Sequence, residues 1–98
     1  MAQLLTDGEI DTALADLSQW HRAGDALVRT IEAPTFLDAI ALVDKVAVVA
    51  EEMNHHPDID IRWRKVTFLL STHSAGGITA SDPALAHRID QEARRVGL

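Results

Sequence analysis

The chain has no cysteine, which excludes a disulfide framework, thiolate metal sites and cysteine nucleophiles in one step. Basic residues are few: nine Lys and Arg stand against fifteen Asp and Glu, for a net charge of -6. That balance argues against nucleic acid as the main partner, because neutralising phosphates requires Lys and Arg. The basic residues are scattered, apart from Arg62, Arg64 and Lys65 and the pair Arg94 and Arg95. No long apolar run occurs either. A long uncharged stretch, Val66 to Ala80, contains Ser, Thr, His and Gly and is too short and polar to span a bilayer, so no membrane role is expected. The opening residues, MAQLLTDGEI, lack the basic region and long apolar run of a signal peptide, so a soluble cytoplasmic protein is the expectation. Aromatics are scarce at 4%, but the remaining composition is that of an ordinary globular protein.

Ninety-eight residues without repeat, low-complexity segment or linker read as one domain, residues 1–98. A chain of this length buries roughly two-thirds of its unfolded surface and needs no metal or disulfide to hold it together. Boundaries stand out around Gly24, at Pro34, at Asn54 to Pro57 and at Gly76 to Gly77. Ile10, Ala13, Leu14 and Leu17 recur at helical spacing, and Thr6 with Glu9 has the form of a capping box, so Thr6 to Leu17 is predicted helical. ALVRTI, residues 26–31, is short and β-branched and reads as a strand, with Trp20 and His21 in its partner and Gly24-Asp25 in the turn. From Thr35 to Met53, Phe36, Ile40, Val43, Ala47 and Ala50 form an apolar stripe widened by Ala39, Val46 and Met53, which predicts a long helix. Pro34 is tolerated at its start, and Asn54 accepts the left-handed angles that end a helix. Pro57 disfavours helical geometry at His56, so NHHPD is a loop. Ile59, Ile61 and Trp63 alternate with Asp60, Arg62 and Arg64 in a half-buried strand, and Lys65 to Thr72 is its hairpin partner. Thr79 or Ser81 caps a last helix with Leu85, Ile89, Ala93 and Val96 on one face, and Thr79 with Asp82 is a second box-like pair. The predicted fold is α+β, with order α-β-β-α-β-β-α: a four-stranded antiparallel sheet with three helices on one face.

Five histidines are many for so short a chain. His55 and His56 leave the end of the long helix, and His73 leaves the end of a strand, so the three imidazoles converge if those ends share one rim of the sheet. His21 and His87 lack such context. Three readings stay open on spacing alone. The pair can be polar surface. It can belong to a metal site, though adjacent residues chelate poorly and no His-x-His or His-x-x-x-His pair supports it. Or it can exchange protons: imidazole titrates near pH 6.5 and serves as donor or acceptor at neutral pH. Ser71, Thr72 and Ser74 supply hydroxyls that orient a flat polar heterocycle.

The segments EEMNHHPDI, VTFLLSTHSAGGIT and DPALAHRID together resemble the pterin-4a-carbinolamine dehydratase family, most strongly from Glu51 to Ile89. The resemblance implies a four-stranded antiparallel sheet with three helices on one face, assembled as a dimer or tetramer. It implies dehydration of 4a-hydroxytetrahydropterin to quinonoid dihydropterin, without metal or organic cofactor, in the recycling that serves aromatic amino acid hydroxylases. By position, His55, His56 and His73 would be catalytic, and Asn54, Ser71, Thr72, Ser74 and Asp82 would line the pterin site. Asp82 reads equally well as an acid favoured at a helix N-terminus. The chain departs from the family pattern in DIDIRW after His-His-Pro and in Ser74, where an acid is common. Two other functions fit the same resemblance: a non-catalytic dimerisation or assembly partner, and pterin handling in molybdenum-cofactor metabolism.

Overall fold

Thr6 begins the first helix as its spacing to Glu9 predicts: its hydroxyl accepts the Glu9 N–H, and Glu9 Oε1 accepts the Thr6 N–H. A computed structural model describes residues 2–98, and its elements in chain order are α1 (Asp7–Ala15), β1 (His21–Ala23), β2 (Ala26–Glu32), α2 (Phe36–Met53), β3 (Asp58–Arg62), β4 (Lys65–Leu70) and α3 (Ser81–Arg95). The strands form one antiparallel sheet in the order β1-β2-β4-β3. Fold class and element order are those expected from the sequence. Ala23 faces Ala26, which leaves Gly24 and Asp25 as the turn, with Gly24 at the positive φ of 59° that glycine takes cheaply.

The inward faces of the central strands carry the core. Leu27 and Ile31 of β2 and Val66, Phe68 and Leu70 of β4 are buried against α2 and α3, whose Leu42, Val46, Leu85 and Ile89 are fully enclosed. Trp20 is buried too, and its indole N–H donates at 2.9 Å to Asp90 of α3, which also holds the Arg29 guanidinium of β2. This charge-assisted link ties sheet to helix.

Two expectations are corrected. The buried face of α2 is Ala39, Leu42, Val46, Val49 and Ala50, whereas Phe36 and Ala47 of the predicted stripe are exposed. The charged residues Asp38, Asp44, Lys45, Glu51 and Glu52 all lie exposed on the opposite side, so the pattern does mark a face; the predicted stripe lies to one side of it and leaves out Leu42 and Val49. Trp63 is not on the strand with Ile59 and Ile61. Arg62 pairs with Lys65, so Trp63 and Arg64 are the two turn residues, and Trp63 adopts φ 55° with its indole 69% exposed under the Arg64 guanidinium. Closing a hairpin requires loop residues whatever the alternation says.

Candidate active site

Three chain reversals carry the sequence-predicted residues: the end of α2, the loop after β4 and the start of α3. Asn54 takes the left-handed conformation, φ 49°, at the end of α2. Its N–H then reaches the Glu51 carbonyl and the His55 N–H the Ala50 carbonyl, at 3.2 and 3.0 Å. Paired bonds of this kind satisfy the last helical carbonyls and fix the next residue, here His55. Beyond β4, Thr72 and Gly77 pair across the base of a tight loop whose tip is a single 3-10 turn, His73–Ala75. Gly77 lies against Leu4; a Cβ there would stand 3.1 Å from its side chain. α3 starts at Ser81 with Ala80 as its N-cap and no side-chain cap, so neither Thr79 nor Ser81 is the cap expected from the sequence; the Thr79 N–H donates instead to Asp82 in its first turn.

Asp82 joins all three segments. Its carboxylate has no exposed surface. Oδ1 accepts from His55 Nε2 at 2.6 Å, and Oδ2 accepts from the Thr72 hydroxyl and the Thr79 N–H, both at 2.9 Å. The Thr72 and Thr79 hydroxyls are themselves 2.8 Å apart. Burying a carboxylate is costly unless donors satisfy it, and three do so here. With Nε2–H committed to Asp82, the proton of a neutral His55 ring lies on Nε2 and its Nδ1 is left as the acceptor.

His56 pairs with Glu51 through Nε2 at 2.6 Å, and both side chains are exposed. His73 is exposed as well, with Nε2 4.0 Å from Asp58 Oδ2. Leu69 lies between the fully buried Phe68 and Leu70, so it and its cross-strand partner Asp58 point to the face of the sheet that no helix covers. His55 is therefore held from the helical layer, and His73 stands within 4.0 Å of a carboxylate that lies on the uncovered face. Among the described residues, no three His, Asp or Glu side chains are grouped to hold a metal ion; each of these imidazoles is turned to a different carboxylate.

The other sequence-predicted residues fall into two sets. Ser74 and Asn54 are exposed and Ser71 is half-buried. Thr72 and Asp82 are buried, their polar atoms taken up by protein partners, so their geometry acts on the histidines. His21 and His87 are exposed, away from any such network. Sequence reasoning missed Thr79, Glu51 and Asp58. The sequence pairs Thr79 with Asp82 only as a helix start, and of the two bonds of a capping box just one forms, from the Thr79 N–H to Asp82; Glu51 and Asp58 gave no signal beyond proximity in the chain. An open cavity of about 500 Å³ between the N-terminal residues and Thr79–Ser81 is lined by none of the histidines.

On this small α+β scaffold His55, His56 and His73 each stand beside a carboxylate, and imidazole–carboxylate pairs are able to donate and accept protons. Residues 3–92 match the family described as pterin 4 alpha carbinolamine dehydratase. A protein of Nocardia farcinica, provisionally named as such a dehydratase, is 61% identical over 92 residues, covering 94% of this chain and 97% of its own. A provisionally named dehydratase of Roseiflexus castenholzii is 55% identical over 91 residues, covering 93% and 98%. Among solved structures, a transcriptional coactivator/pterin dehydratase from Brucella melitensis superposes with TM-score 0.89 at 29% identity, covering 93% of this chain and 99% of that one. A pterin dehydratase-like protein identified as a RuBisCO assembly factor in the alpha-carboxysome shares the fold, with TM-score 0.66 at 24% identity over 76% and 89% of the two chains. The chain belongs to the pterin-4a-carbinolamine dehydratase family.

Proposed function

We propose that the protein dehydrates a 4a-hydroxytetrahydropterin to the quinonoid dihydropterin by histidine acid–base catalysis. The observation that carries this reading is the buried Asp82 network, which fixes His55 directly and holds, through Thr72, the loop that displays His73. One of His55 and His73, as imidazolium, protonates the 4a-hydroxyl, and the C4a–O bond breaks to release water. The other, neutral, takes the proton from N5, and the N–H electron pair becomes the C4a=N5 double bond. The proton given and the proton taken balance, and nothing is oxidised or reduced. His56, bonded to Glu51, together with Asn54, Ser71 and Ser74, holds the pterin.

The reaction so written belongs to tetrahydropterin recycling in the cytoplasm, linked to an aromatic amino acid hydroxylase. The outward edge of α2, where Leu37 is 79% and Val48 57% exposed, supports assembly into a homo-oligomer. A stopped-flow assay of 4a-carbinolamine decay tests the chemistry. His55→Ala is expected to lose about 10²–10⁴-fold in rate, the usual worth of an acid–base group. A loss of less than threefold would refute the proposal.

A further inference from the structure

The three site histidines share one feature that the reaction does not require: each turns Nε2 toward its own carboxylate. For His55 that partner is buried and bonded. For His73 it is Asp58, the first residue of β3, 4.0 Å away and exposed like the imidazole itself. Resting on the dehydration reading above, we propose that Asp58 is the positioning residue of His73, drawing its Nε2–H outward so that Nδ1 faces the bound pterin.

The placement of Asp58 is built in at two levels. Pro57 restricts the backbone immediately before it. Cross-strand pairing with Leu69 then sets Asp58 beside the end of β4, only a few residues before His73, and on the uncovered side of the sheet. His73 sits in a turn anchored by Thr72, so its backbone is fixed while its side chain, 75% exposed, packs against little. An exposed imidazole on a fixed backbone has several rotamers, and an exposed carboxylate within reach biases them by up to about fivefold. The 4.0 Å gap is longer than a hydrogen bond, and catalytic hydrogen bonds are often long before substrate is bound.

The test combines kinetics with a readout independent of turnover. Asp58→Asn is expected to lower kcat about fivefold, the upper worth of an exposed ion pair, with KM within about twofold. Asp58→Glu should keep the wild-type rate, because its extra methylene spans the gap. In a His73→Ala background, Asp58→Asn should change the rate less than about 1.5-fold, since a residue that acts through His73 has nothing left to act on. Three-bond couplings at His73 should report one dominant χ1 rotamer in the wild type and averaging in Asp58→Asn. An Asp58→Asn rate within about 1.5-fold of wild type, an equal loss with and without His73, or unchanged couplings would each overturn the assignment. A wild type that holds the rotamer yet does not dehydrate the pterin would support this positioning and sink the reaction instead.

Discussion

Replacing Asp82 with Asn separates catalysis from folding. The side chain keeps its shape and the Thr72 hydroxyl and Thr79 N–H keep an acceptor if the amide oxygen takes the Oδ2 position. The amide NH2 then faces His55 Nε2 at the former 2.6 Å contact, and donor meets donor. The ring resolves the conflict by becoming the other tautomer, with Nε2 accepting and the proton on Nδ1. In stability, a charge-assisted bond is exchanged for a neutral one, a loss of about 1–2 kcal/mol. A domain of this size then melts roughly 4–16 °C lower. Total stabilities run to about 5–15 kcal/mol, so the variant stays folded at 25 °C. In catalysis, with His55 in the role of base, a neutral ring with Nδ1 already protonated no longer accepts a proton there, and kcat is expected to fall about 10²-fold or more. Asp82→Ala lacks this selectivity. The two threonine hydroxyls pair with each other, but the Thr79 N–H and His55 Nε2–H lose their acceptor at about 1–3 kcal/mol each. Stopped-flow decay of the carbinolamine, beside thermal melts by circular dichroism, reads both effects. An Asn variant that melts a few degrees lower yet turns over within threefold of wild type would refute the tautomer argument.

Two further outcomes follow from the packing. Trp20→Phe removes the indole N–H that Asp90 accepts while leaving the Arg29 contact, at a cost of about 1 kcal/mol; a melting temperature unchanged within 1 °C would show the bond contributes nothing. Leu37→Asp places a charge on the apolar edge of α2, and sedimentation velocity should show a lighter species than the wild type; a wild type that sediments as a monomer would exclude the assembly.

The order of elements, both hairpins, the capping of α1 and the left-handed stop at Asn54 were legible in the chain, because each depends on residues within a few positions of one another. So was the position of His55 and His73, where a helix and a strand end. Three features were decided only in three dimensions. Which apolar residues of α2 lie innermost depends on α3 and β4, because the apolar side of that helix is wider than the surface it packs against. Trp63 left the sheet because the pairing of Arg62 with Lys65 consumed the last strand positions. Asp82 looked like an acid at a helix start, but it is enclosed beneath His55, twenty-seven residues away in the chain, and beside Thr72. Periodicity and capping report on neighbours in sequence; which donors surround a buried carboxylate is settled when distant segments pack together and water is excluded from between them.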